Sequence, residues 1–513
     1  MTAATVLTAL GAWLAGHALL GLLPGADRRR SPLELQATAA LLGLVLLPAL
    51  LATRVALAGP VGRVEGILIL ALPALAGALL LCRNVRGSRA GRPQEPPTAE
   101  RWKAGQAVLA LLVLGFAGFA VFYPTSMPVH VFDPLYHYAY KGKLVLNEGF
   151  GTPAWSDLEG PVGRVITHPD YPPGLPSLQA LLACVAGRFD EDATKALLSL
   201  YVLVPAAWLY GVLRPRGRTP ALAAALTWLS LPILYYTRAP HESLPHAMFG
   251  LIAGYEAGIE RFPEALPWSL PDGWILDGAA DLPLAALFTG AFLHLGGLLP
   301  GRSADAAGAR GDAVVGGVFL GGAVLMKNEG TALAAVLLLA LALGALARRL
   351  AGGPGEPLAA LVLRWGLGLL VALGLAAAWL VVRGEIPSID ENYPERLTLS
   401  GLWEARGRAG EVAAGFAGTF VAILRWELVW PLFAAALLGS LARPRALLRH
   451  PAFPAVLAVL GAIALYFAIL LVTPWDLETL FSTVIPGRLV LHVTPLAVLA
   501  TMALLWKLPE EVA

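Results

Sequence analysis

Between His130 and Pro176 the chain gathers side chains suited to polar chemistry: Asp133, His137, Lys141, Lys143, His168 and Asp170, within HVFDPLYHYAYKGKLVLNEG and then THPDYPPGLP. A carboxylate near imidazole and ammonium groups can take a proton from a hydroxyl while the cations meet a departing anion. Charged residues make up only 14% of the chain against 57% hydrophobic ones. Ionisable groups collected beside an apolar run (104–123) therefore mark a candidate site. Three later places interrupt apolar sequence in the same way. Asp281-Leu282-Pro283 opens a run, Lys327-Asn328-Glu329-Gly330 separates two, and Thr473-Pro474-Trp475-Asp476-Leu477-Glu478 leads to Arg488.

Each place also has a plain structural reading. Asp133-Pro134 is a strong helix start, and Gly149 offers the stop. In that helix Leu135, Tyr138, Ala139, Gly142, Val145 and Leu146 form an apolar stripe, with Tyr136, His137, Tyr140 and Lys141 largely opposite. Pro169, Pro172, Pro173 and Pro176 stiffen the path that carries His168 and Asp170. Lys327 and Glu329 could pair across a kink, Asp281 could cap a helix, and Arg488 could snorkel to headgroups or touch a phosphate.

The elements that must position these groups are membrane helices. The chain has 513 residues, 55 Gly and 40 Pro, with mean hydropathy +0.68. Its recurrent apolar runs match the roughly 20 residues that cross a bilayer core. A polytopic all-α membrane protein is expected. The net charge of +2 offers nothing for nucleic acid, and Cys82 and Cys184, both in apolar segments, suggest neither disulfide nor metal cluster. The first run lacks a basic start and precedes Arg28–Arg30, which suits an uncleaved span.

Basic stretches at Arg28–Arg30, Arg83–Lys103, Arg214/Arg216/Arg218, Arg348/Arg349 and Arg443/Arg445/Arg449 all fit on the cytoplasmic side. The resulting trace has about thirteen spans, near 3–23, 33–53, 64–82, 104–123, 193–213, 219–236, 281–300, 313–326, 331–347, 360–382, 425–442, 452–471 and 488–506. It requires 174–187 to lie at the interface as an amphipathic helix. Four long, irregular outer segments follow, 124–192, 237–280, 383–424 and 472–487, with 507–513 as a cytoplasmic tail. The linker 83–103 sets an N-terminal three-helix extension (1–82) apart from the core (104–506).

In this order the motifs resemble the GT-C superfamily of integral-membrane glycosyltransferases, which includes protein O-mannosyltransferases and lipid A aminoarabinose transferases. The likeness is to a bacterial branch with an FD…KGK element (Asp133 to Lys143), HPDYP (His168 to Pro172), ADLPLA (Ala280 to Ala285), KNEG (Lys327 to Gly330) and a TP…R ending (Thr473 to Arg488), and spans roughly 104–506. It implies a bacterial inner-membrane enzyme with an extracytoplasmic site. A sugar would pass from a polyprenyl-phosphate donor to an acceptor hydroxyl, with inversion. It casts Asp133 as catalytic base and His168, with Arg488, near the lipid phosphate. Lys141 and Lys327 join these as candidate phosphate cations. Asp170, Asp281, Glu329 and His137 are supporting residues, and Asp170 and Asp281 could help hold a divalent metal, as in some relatives. The three N-terminal helices and the stretch 238–280 depart from the usual core. The rival readings are a transporter or lipid flippase, expected to show repeated halves and broken helices, and a non-catalytic scaffold.

Overall fold

The computed structural model describes residues 2–23, 31–88, 102–125, 137–150, 168–235, 275–276, 278–297, 306–353, 357–386, 393–482 and 485–506. Among them every regular element is a helix. The N-terminal part holds α1 (Ala3–Leu22), α2 (Pro32–Ala58), α3 (Arg63–Ser88) and α4 (Ala104–Thr125), followed by the short α5 (Tyr140–Asn147) and α6 (Gly174–Ala186). Next come α7 (Glu191–Leu213), α8 (Arg218–Ser230), α9 (Pro232–Tyr235), α10 (Asp281–Gly296), α11 (Ala306–Met326), α12 (Glu329–Leu350) and α13 (Leu358–Arg383). The C-terminal part holds α14 (Tyr393–Arg396), α15 (Leu399–Glu404), α16 (Ala409–Phe420), α17 (Ile423–Trp426), α18 (Val429–Leu441), α19 (Pro444–Arg449), α20 (Phe453–Val472), α21 (Leu477–Ser482), α22 (Ile485–Leu491) and α23 (Thr494–Leu505).

Nine of the described helices are long and apolar enough to cross a membrane, ten if α22 and α23, bent by 54°, form one span. The other expected spans are shorter. The run at 219–236 divides into α8 and α9 at Leu231, α10 has 16 residues, and α18 has 13. Apolar runs mark where helices lie, but where a run stops is set by tertiary packing that composition does not report.

One expectation needs correction. Helix α6 forms at the expected place, yet residues 174–184 are buried all round, Ser177 and Gln179 included. It packs inside the protein against α2, α3 and α5 and has no polar face for headgroups. The N-terminal three helices pack against the rest of the chain. Trp208 Nε1 donates to Thr38 Oγ1 at 3.2 Å, Thr5 Oγ1 to the Ala193 carbonyl at 3.3 Å, and Leu41, Leu42 and Leu44 are wholly buried. Within this group Gly16 and Gly43 let α1 and α2 touch backbone to backbone, since a side chain at either would overlap the partner's carbonyl. The outer segment 383–424 is also helical where described, in α14 to α16.

Contacts between helix ends sort the bundle into two faces. At one, Gly211 lies against Glu34, Trp208 packs edge-on to His294, and His294 Nδ1 meets Asp312 at 3.0 Å. Arg218 covers the Trp102 ring, and Arg449 Nε donates to the Ala351 carbonyl at 2.5 Å. This face holds Arg214, Arg216 and Arg218 after α7, Arg348 and Arg349 ending α12, and Arg443, Arg445 and Arg449 around α19. The opposite face holds the starts of α10 and α12, the ends of α2, α11 and α20, and residues 168–174. About 30 Å of helix separates Glu329 from the arginines ending α12.

Candidate functional site

Asp281 is the first residue of α10 and is completely buried. It does not cap its helix, since no side chain bonds the first turn. Its carboxylate instead collects nitrogen donors from three residues in distant parts of the chain. Lys327 Nζ donates to Oδ1 at 3.0 Å, Arg488 reaches Oδ2 through Nε at 3.0 Å and Nη2 at 2.9 Å, and His492 Nε2 reaches Oδ1 at 2.9 Å. Lys327 also pairs with Glu329 Oε1 at 2.8 Å. Two carboxylates face one ammonium and one guanidinium, so the formal charges balance with His492 neutral. Both acids start helices, where the N-terminal end of the backbone dipole favours negative charge.

Local sequence explains how the groups meet. Lys327 and Asn328 occupy the two-residue break between α11 and α12, which turns tightly because Gly330 seats against the Ala323 carbonyl, a contact that any side chain would block. Arg488 comes from α22 and His492 from the kink after it. A carboxylate only accepts, so in the neutral ring His492 Nε2 carries the proton and Nδ1 accepts from the Tyr466 hydroxyl at 2.6 Å. Tyr466, His492 and Asp281 are all 0% exposed, so each must find its partner inside the protein.

The HPDYP segment docks beside this network. Asn328 Nδ2 donates to Asp170 Oδ2 at 3.3 Å, and Arg383 Nη2 stands 3.7 Å from the same oxygen. Gly174 makes the approach feasible, since a methyl group there would lie 2.5 Å from the Leu325 carbonyl oxygen. His168 adopts a left-handed backbone at φ 53°, uncommon for a residue with a side chain. Its ring stacks on Tyr171 at 4.7 Å and meets His137 edge-on at 4.6 Å. Lys141 donates to the His168 carbonyl and lies over the Tyr171 ring at 5.3 Å.

Helix α5 ends as expected, with Gly149 in a left-handed turn at φ 81°. Its expected polar side is not turned to water: Lys141 is 0% and His137 5% exposed, because residues 168–171 cover them. Burial pushes the Lys141 ammonium down to about 7, against the opposing pull of the Asp170 carboxylate. Asp133, the expected base, lies outside the described residues, as does most of 238–280.

No family model, curated protein or solved structure matches the chain.

The face therefore brings together Asp170, Asp281, Lys327, Glu329 and Arg488 of the expected site, with His137, Lys141 and His168 on its flank. Three expectations take a different form. Lys327 and Arg488 meet protein carboxylates, Arg488 is 6% exposed and does not snorkel, and Asp281 turns its oxygens to cationic partners rather than toward Asp170. Among the described residues no group of three His, Cys, Asp or Glu is placed to hold a metal ion. Sequence reading missed His492, Tyr466, Asn328 and Arg383. Asn328 sat inside a recognised motif, and the others carry one general signal, a polar side chain within or at the end of an apolar helix.

Proposed function

We propose that the chain is a membrane glycosyltransferase that moves a sugar from a polyprenyl-phosphate carrier to an acceptor hydroxyl on the face of the bundle away from its basic loops, the extracytoplasmic side of a bacterial inner membrane. The observation that carries this reading is convergence. HPDYP, ADLPLA, KNEG and the C-terminal arginine, spread from residue 168 to 488, meet at one face in direct contact. In the proposed reaction Asp133 takes the acceptor proton as its oxygen attacks the anomeric carbon, and the bond to the carrier phosphate breaks. Lys141 and His168 flank that phosphate. The neutral network around Asp281 fixes the helix starts that frame the site, so the reacting groups need little reorganisation.

The test is incubation of the purified protein with radiolabelled polyprenyl-phosphate sugars and native membrane extract. Label should move from the carrier to a second molecule, and absence of movement across a panel of carriers would end the reading. A proton-coupled transporter is the second reading. It is favoured by the break at Lys327 and the bend at His492, which both place ionisable groups inside the bundle. Counterflow in proteoliposomes without sugar transfer would select it.

A further inference from the structure

We infer that Arg425, with the indole N–H groups of Trp426 and Trp430, forms an anion site for the phosphate of a membrane lipid. Arg425 is 8% exposed, and Nε is buried without a hydrogen-bond partner. Among the described residues no carboxylate pairs with it. The indole nitrogens of Trp426 and Trp430, 0% and 4% exposed, are also buried without partners. Three neighbouring residues thus present donors that nothing among the described residues accepts. Buried polar groups nearly always have partners, and an isolated buried charge is costly. An acceptor-rich anion would satisfy all three, as phosphate oxygens do with guanidinium forks.

The backbone holds the donors together. Glu427 is left-handed at φ 50° and turns the chain between α17 and α18. The two indoles meet edge-on, centroids 6.1 Å apart, and Trp430 continues to Phe420 at 4.9 Å and Phe433 at 5.9 Å. An apolar chain attached to the phosphate would find rings beside it. Gly487 lies beside the guanidinium, where a methyl group would be in ordinary contact with Arg425 Nη1 at 3.7 Å. The next residue is Arg488, whose charge meets Asp281. The two arginines are adjacent but differ in kind: Arg488 completes the protein's own network, and Arg425 awaits a counter-ion. Packing of α17 against α9, whose Tyr235 carbonyl accepts from Tyr123 at 2.8 Å, puts the site on the face of the Asp281 network.

This deepens the transferase reading and rests on it for the choice of carrier lipid. The test compares wild type, Arg425→Met and Arg425→Lys in detergent, by native mass spectrometry with polyprenyl phosphate, phosphatidylglycerol or inorganic phosphate. Polyprenyl phosphate should bind wild type, lose about tenfold or more in affinity with Met, and recover in part with Lys. The same pattern with phosphatidylglycerol alone would keep the site and name a phospholipid as its source. Equal binding of every probe by Arg425→Met and wild type would overturn the inference. A second readout guards against misfolding: without lipid, Arg425→Met should melt at or above the wild-type temperature, because a costly buried charge is gone. A clear fall would make the arginine structural and overturn the site. Lipid bound through Arg425 without sugar transfer would end the transferase reading and leave the site standing.

Discussion

His492 Nε2 stands 2.9 Å from Asp281 Oδ1, and that contact ties the kink between α22 and α23 to the start of α10. The same carboxylate holds Lys327 from the break between α11 and α12. One residue with no exposed surface thus joins segments 46 and 211 positions away in sequence.

Asp281→Asn should be strongly destabilising. It leaves Lys327 with Glu329 alone and Arg488 without its carboxylate, and removing one member of a buried ion network costs about 3–5 kcal/mol. Thermal unfolding of the purified protein measures this. A melting temperature unchanged from wild type would mean that the cluster does not hold the helices together.

Tyr466 and His492 should act as a unit. Losing the Tyr466 hydroxyl should cost about 1 kcal/mol, and His492→Phe should cost more, because Asp281 loses a donor. The double variant Tyr466→Phe/His492→Phe should then fall short of the sum of the two single effects. Strict additivity would show that the 2.6 Å contact carries no coupling.

Gly330→Ala and Gly174→Ala test the close approaches at the KNEG turn. Each new methyl group meets a backbone carbonyl, of Ala323 and Leu325 respectively, and backbone cannot step aside as a flexible side chain can. A loss of about 1–3 kcal/mol is expected, read as a lower melting temperature. Gly366→Ala, in α13 with open space around it, should be neutral or mildly stabilising.

Much of this was legible in the chain itself, and the misses have physical causes. Helix positions followed from apolar runs, and three of the five basic stretches, at Arg214–Arg218, Arg348/Arg349 and Arg443–Arg449, share one face, while Arg28–Arg30 and most of 83–103 lie outside the described residues. The motif residues Asp170, Asp281, Lys327 and Arg488 stood out because charge is scarce in such a sequence. Their partners could not be read, since a pairing between residues 281 and 492 has no local signature. Helix α6 looked amphipathic because Leu175, Leu178 and Leu182 recur at helical spacing, yet Ser177 and Gln179 are buried on the other side. Arg425 was hidden for a related reason. It begins an apolar run and reads as an ordinary flanking arginine until its surroundings are seen.

Asp133→Asn should abolish sugar transfer while the protein stays folded and binds its carrier, if Asp133 is the base in the proposed reaction. The expected loss is about 10²-fold or more, read as label transferred per minute. Transfer at the wild-type rate would remove Asp133 from that role.

Lys141 should give stability and carrier binding opposite responses to pH. Burial holds its folded-state value at about 7, against 10.5 for an ordinary lysine. Between those values the unfolded chain binds the extra proton, so stability should rise as pH climbs from about 7 toward 10.5. Below pH 7 both states are protonated, and the folded protein bears the full cost of the buried ammonium. If that ammonium meets the carrier phosphate, carrier affinity should instead fall as pH rises through about 7, because the cation is lost. Lys141→Met should remove this part of both trends. Melting temperature and polyprenyl-phosphate binding, each followed from pH 6 to pH 10 in wild type and variant, measure the two together. Parallel pH trends in the two proteins would show that Lys141 does not titrate in this window.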